Sequence, residues 1–525
     1  MSSEDEQLQP ECAAEPTPEP GRLRKLFRRV YGPRRDYYLT RWLFLRLLAL
    51  VYLAAFLSYW MQVDGLIGHN GILPADGTAE RLAQLLGAQR FWRLPTLFWL
   101  YPHDPMLHLL CGGGVLFSLT LLIGLLPPLS LFFLWVFYLS LVSVSQDFLS
   151  FQWDSLLLET GFMAMFLGPF QVLPRLSKQA APSPIVLGLL RWVLFRLMFG
   201  SGFVKLGDAT WRTFAALSYH FETQPLPTPL AWYAHHLPAG FLHFATAATL
   251  FIELIVPFLI VAPRRLRIAA FFPLVGLQLL IMLTGNFAFF NWLAIALCVL
   301  LLDDDVLRRV MPKKLSVRLQ CPASTPVQRR YRRIGASVLA YLFVLLSLLQ
   351  MARVMDRGFQ PPGLLRPVAQ ALEPLRLVNP YGLFAVMTTV RPEIVIEGSR
   401  DGNLWLPYEF RYKPGDLAKA PRWVAPHQPR LDWQMWFAAM GPPYQSPWTG
   451  NLAVRLLQGS PEVLSLFEKN PFPGTPPKYL RATLYQYTFT RSEGGKTPRE
   501  WWKREELGPY FPRMSLGVPS AAEQP

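Results

Sequence analysis

The sequence predicts a polytopic α-helical membrane domain of about nine spans, followed by an exofacial domain of α+β or mainly β character. Three observations carry that reading. Before residue 352 the chain is a series of apolar runs close to the roughly 20 residues a helix needs to cross a hydrocarbon core of about 30 Å. Basic residues gather at the ends of alternate runs, where they act as topology determinants. Beyond residue 352 the pattern changes to apolar residues alternating with polar ones, the period of half-buried strands. Composition agrees: 52% of residues are hydrophobic, 16% are charged and mean hydropathy is +0.23, too apolar for a soluble protein of this length. The net charge of +16 is thereby assigned to membrane orientation, and no nucleic-acid partner is expected.

The elements follow in order. Residues 1–38 form a cytosolic tail, acidic and Pro-rich to residue 20, a composition that does not fold. The basic block Arg22, Arg24, Lys25, Arg28, Arg29, Arg34 and Arg35 then holds this end inside. The membrane domain, residues 39–351, has candidate spans at 40–60, 106–126, 129–145, 155–170, 185–203, 242–261, 267–284, 287–302 and 334–351. The first exceeds a signal-peptide core in length and lacks a cleavage site, so it reads as a retained anchor. The pairs around Pro127-Pro128 and Gly285-Asn286 are short enough to be re-entrant. Nine crossings place three basic loops in the cytosol: Arg175 with Lys178, Arg264 with Arg265 and Arg267, and residues 308–333. Residues 204–241 and the C-terminal domain at 352–516 then lie on the opposite face, with 517–525 as a tail. That makes a multi-pass protein of the ER membrane in a eukaryote, or of the cytoplasmic membrane in a bacterium.

In the C-terminal domain, residues 393–397, 404–412 and 484–490 alternate as strands do, and 431–440 and 461–468 read as helices. Its segment contains none of the four cysteines, Cys12, Cys111, Cys298 and Cys321, so no disulfide framework is readable. No Cys/His spacing suits zinc, no metalloprotease, nucleophile-elbow or phosphate-loop motif is present, and no metal or cofactor is expected.

Charges inside the apolar runs are costly and therefore expected to be paired. Asp154, Glu159, Arg191, Arg196 and Glu253 form the candidate membrane polar network, with Arg191 or Arg196 as expected partner of Glu253. Lys205, at the outer end of the fifth run, is the candidate base of a polar cavity, with Glu253, His220 and Glu222 as possible companions. A lysine in that place also snorkels to the interface. His220, Glu222, His235 and His236 make a weak metal signal, because two adjacent histidines cannot share a helix face.

The residues also carry a resemblance. His220-Phe221-Glu222-Thr223-Gln224-Pro225, the segment from Trp153 to Phe162, and Gly285-Asn286-Phe287 through Leu293 resemble membrane motifs of the lipase maturation factor family. So do Val378-Asn379-Pro380-Tyr381-Gly382-Leu383-Phe384, the run from Arg430 to Ala439, Asn470-Pro471-Phe472 and Tyr510-Phe511-Pro512. The resemblance spans residues 40 to 516 in order. It implies a chaperone-like maturation factor, ER-resident in animals, whose C-terminal domain acts on secreted clients such as lipases. Asp432, Trp433 and Trp436 become candidates for client contact or core support. More distantly, Gly202 to Trp211 resembles the segment of vitamin K-dependent carboxylases that carries a proposed base lysine, which keeps a membrane enzyme as the alternative. Trp153 is followed here by Asp154-Ser155-Leu156, not by the Asn-Asn-His of those enzymes.

Overall fold

A computed structural model of the chain describes residues 35–173, 179–312, 330–356, 358–491 and 500–516. The tail to residue 34, Arg175 and Lys178, most of the basic 308–333 loop, Cys12, Cys321 and the terminus from 517 lie outside the described residues.

Helices stand at all nine expected places. Seven are long and apolar enough to cross a membrane: α1 (Tyr38–Trp60), α2 (Asp104–Ile123), α3 (Pro127–Val144), α5 (Pro184–Lys205), α6 (Ala239–Ile260), α7 (Arg264–Thr284) and α9 (Ile334–Met355). The other two, α4 (Gln152–Leu167) and α8 (Phe290–Val299), have 16 and 10 residues. At 1.5 Å per residue they reach only about 24 and 15 Å.

Contacts at their ends show that both still run from one end of the bundle to the other. At the start of α4, the Trp153 indole donates to Gln428 of the C-terminal domain, 2.8 Å away. Beyond its end, Val172 accepts from the amide of Leu126, just before α3. After α8, the Leu301 carbonyl accepts from Arg267 (3.1 Å) and Asp303 takes both arms of Arg264 (2.5 and 2.8 Å). Asp304 accepts the amides of Tyr38, Leu39 and Thr40 at 2.8, 2.9 and 3.2 Å. The first turn of α1 has no cap from its own N-cap residue, so a carboxylate from a remote loop satisfies its orphan donors and meets the positive end of the helix dipole. The ends of α3 and α4 that meet at Leu126, together with the starts of α1 and α7, define a near end of the bundle. The C-terminal domain covers the far end.

Small residues let the helices approach closely. A Cβ on Gly161 of α4 would lie 1.8 Å from the Tyr52 hydroxyl of α1, and one on Gly114 of α2 would lie 2.2 Å from the Phe56 ring.

The C-terminal domain is built on an antiparallel sheet in the order β2-β1-β5-β6, with β1 Pro392–Ser399, β2 Leu406–Pro407, β5 Tyr479–Phe489 and β6 Trp502–Met514. A second pair joins β3 (Glu409–Phe410) to β4 (Phe467–Lys469). The expected strand at 404–412 is thus split, and the expected helix at 461–468 shrinks to Pro461–Leu464 before β4. Helix Arg430–Ala439 matches the sequence reading, whereas helix Trp448–Gln458 and strand β6 were not anticipated. One continuous buried apolar cluster runs from Phe44 in α1 to Phe511 in β6, so bundle and sheet share a core.

Candidate functional site at the seam of the two halves

The candidate site lies where the far end of the bundle meets the C-terminal domain. Asp154 stands in the first turn of α4, a favourable place for an anion. Its partner, Arg430, opens helix Arg430–Ala439, where the dipole disfavours a cation and a close carboxylate is needed. The two meet as a fork, Nη1 to Oδ2 at 2.7 Å and Nη2 to Oδ1 at 2.9 Å, with side-chain exposures of 1% and 0%. The Tyr138 hydroxyl donates to the same carboxylate at 2.6 Å.

Glu159 lies further along α4. It pairs with Arg196 of α5 and accepts from the Asn379 amide (3.0 Å), the Asn379 side chain (3.1 Å) and the Tyr381 hydroxyl (2.6 Å). Glu253 pairs with Lys205 at 2.6 Å, which corrects the expected pairing with Arg191 or Arg196. Gly202 permits this approach, since a Cβ there would meet that of Glu253 at 2.9 Å. Arg191 belongs to the near end, where it donates to the Leu300 carbonyl at 2.9 Å and stands over the Tyr37 ring.

Lys205 also donates to the Ser201 carbonyl at 3.3 Å and lies 5.1 Å from the centre of the Trp211 ring. Beside it, half-buried His220 sits among aromatic rings, 5.2 Å from Phe384 and 6.3 Å from Phe287. Burial, with Lys205 nearby, pushes the His220 pKa down to about 4. Glu222 turns away from this group: it accepts the Phe489 amide at 2.7 Å and lies 3.7 Å from His235. Burial raises its carboxyl above the usual range and lowers His235 to about 4. Of the four cavity candidates, then, Lys205 and Glu253 touch, His220 is adjacent and Glu222 is used elsewhere. Among the described residues no group of three or more His, Cys, Asp or Glu is placed to hold a metal ion.

Asp432 is buried and accepts the amides of Tyr412 and Lys413, both at 2.8 Å. Trp433 is buried against Phe151, Trp153 and Phe287, with ring centres at 5.6, 5.0 and 5.9 Å. Half-buried Trp436 donates to the Thr223 carbonyl at 2.9 Å. Trp433 and Trp436 thus join the halves, whereas Asp432 braces a turn within the C-terminal domain; Asp432 and Trp433 offer no surface to a client.

Sequence reasoning singled out Asp154, Glu159, Trp433 and Trp436 but missed other residues that reach across the seam. Besides Arg430, Asn379 and Tyr381, these include Asn286, which accepts the amides of Val424 (2.7 Å) and Ala425 (3.1 Å), and Arg391, which donates to the carbonyls of Glu222 (2.6 Å), Gln224 and Pro225 (2.9 Å). A signal was present: five of the segments carrying the family resemblance, those around Trp153, His220, Asn286, Asn379 and Arg430, converge here.

Comparison with known proteins agrees with that convergence. The family model described as lipase maturation factor transmembrane domain matches residues 39–309, and that of the lipase maturation factor C-terminal domain matches residues 377–512. This chain belongs to the lipase maturation factor family. Lipase maturation factor 2 of Gallus gallus is 39% identical to it over 597 residues, covering 93% of this chain and 82% of the relative. The protein of the same name from Homo sapiens is 37% identical, with 92% and 83% covered. Lipase maturation factor 1 of Mus musculus is 35% identical over 545 residues, with 97% and 91% covered. No solved structure matches. In lipase maturation factor terms, the seam joins the two family domains: Asp154, Glu159 and Glu253 belong to the transmembrane part, Asn379, Tyr381 and Arg430 to the C-terminal part.

Proposed function

We propose that this membrane protein is a maturation factor that promotes folding of secreted clients, lipases first among them, through a C-terminal domain held on the non-cytosolic face. That face is the ER lumen in a eukaryotic host. The names of the relatives support the client class. The near end carries Arg35, Arg264, Arg265, Arg267, Arg308 and Arg309, which supports a cytosolic near end.

The observation that carries the reading is how the ionisable side chains of the seam are used. Asp154, Glu159, Lys205 and Glu253 each hold another protein group, and Asp154 and Glu159 do so across to the C-terminal domain. Such an arrangement fixes the working surface on the membrane and leaves client handling to the C-terminal domain. The test is secretion of active lipase from cells lacking their own maturation factor. The Lys205→Met/Glu253→Gln double variant removes the amine without leaving one charge buried alone. Inserted and folded, it is expected to support lipase secretion within about twofold of wild type. A loss of about 100-fold or more in the folded variant is the signature of a missing base and would replace this reading with membrane-cavity chemistry.

A further inference from the structure

Where α3 reaches the far end, a cleft of about 750 Å³ opens between its last turn and residues 370–376. Its depth can be read from contacts. The Thr96 hydroxyl donates to the Ser140 carbonyl and the Leu97 amide to the Ser140 hydroxyl, both at 3.0 Å. The chain forming one wall therefore packs on α3 four residues before its end, about 6 Å along the axis. On the other side, helix Arg366–Leu372 rests beside Leu349 and Arg353 in the last turns of α9. Both walls thus stand where spans leave the hydrocarbon. Large apolar side chains around them are exposed, Phe91 at 58%, Leu100 at 76% and Leu364 at 87%, as expected of residues seated in a bilayer interface.

The lining has two parts. Half-buried Leu94 and Val142 give it an apolar floor. Above it stand the exposed side chains of Arg93, Arg376 and Glu373, none in an ion pair among the described residues, and the exposed ring of Trp92. Two guanidinium groups suit a phosphate, whereas a carboxylate and an indole face suit an ammonium or choline group. The volume lies within the roughly 300–1,000 Å³ typical of small-ligand sites. We propose that this cleft binds a zwitterionic glycerophospholipid of the far leaflet, with its phosphate against Arg93 and Arg376, its ammonium against Glu373 and Trp92, and its chains over Leu94 and Val142. This goes beyond the maturation reading and does not depend on it.

The test uses the full chain in phosphatidylcholine nanodiscs containing a trace of phosphatidylcholine with a photoreactive group near the glycerol, followed by peptide mass spectrometry. Adducts are expected at residues 92–95 and 142–146 and should fall about tenfold in Arg93→Gln/Arg376→Gln. Adducts on the exposed flank of α7, at Phe272 and Leu280, should not change. A matching phosphatidylglycerol probe should label the cleft about tenfold less, and Glu373→Gln should narrow that preference. Equal cleft labelling in wild type and the arginine variant, both shown to be folded, would mean annular lipid and overturn the proposal. So would equal labelling by the two probes, or displacement of the label by soluble glycerophosphocholine, which would indicate a headgroup site without a lipid.

Discussion

Asp154 and Arg430 are 276 residues apart, and each alone is a costly choice: an acid in an apolar helix and a cation at a helix N-terminus. Together they form a closed fork. The acid was legible in the sequence because charge in an apolar run is conspicuous. Its partner was not, because nothing local to Arg430 says which distant element it meets; the same holds for Glu159 with Tyr381. The mistaken partner for Glu253 arose likewise, since Arg191 shares a helix with Lys205 yet lies toward the other end of the bundle. A second residue of the seam, His427, predicts a pH dependence. Its Nδ1 is 3.0 Å from the Ser58 hydroxyl of α1, and burial, then Arg430 and Arg411, lower its pKa to about 4. The unfolded chain, with a histidine pKa near 6.5, binds more protons between these values, so this contribution is complete above about pH 6.5 and is lost as pH falls toward 4. The thermal midpoint of the solubilised protein should drop from pH 7 to pH 5, and by less in His427→Gln. An identical drop in the variant would remove His427 from this role. Asp432, whose carboxyl burial raises, works in the opposite sense: its contribution is complete below the ordinary aspartate range and is lost as pH rises.

Among the elements, the membrane helices were legible because a span needs only length and apolarity, and strands β1 and β5 because their alternation is regular. Strand β6 was hidden by its own sequence: Lys503 to Glu506 is a charge run, and Gly508, Pro509 and Pro512 break the pattern. Those residues are tolerated because β6 is an edge strand whose register against β5 shifts at several points. Helix Trp448–Gln458 did leave signals, with Leu452, Ala453, Leu456 and Leu457 buried at helical spacing and Gly459 in the left-handed conformation that ends helices. Helix α5 gives a test of packing across the seam. A Cβ on Gly200 would lie 2.6 Å from the Tyr381 carbonyl oxygen, whereas one on exposed Gly188 of the same helix would meet nothing within 4 Å. Alanine favours a helix over glycine by about 1 kcal/mol, yet overpacking costs about 1–3 kcal/mol. Gly200→Ala should therefore lower the unfolding midpoint and Gly188→Ala should hold or raise it. Equal effects would mean that α5 and residues 379–384 are not in contact.

For the whole molecule, a crossing by each of the nine helices, the two short ones included, predicts that the N-terminus and the C-terminal domain lie on opposite faces. Cysteine probes at Ser3 and Ser515, with native cysteines replaced, should label from opposite sides of sealed vesicles; labelling of both from the cytosolic side would refute the crossing count. With that orientation, the central claim is that bundle and C-terminal domain work as one body, joined by charges neither half could bury alone. Breaking a buried ion pair from one side costs about 3–5 kcal/mol, and removing both charges costs less. The most direct measurement is a double-mutant cycle over Asp154→Asn and Arg430→Gln, reading folded yield and secretion of active lipase together. The two single variants should lose both, and the double variant should recover a substantial part of both. Single variants that stay fully folded yet mature no lipase, or losses that simply add in the double variant, would contradict the account.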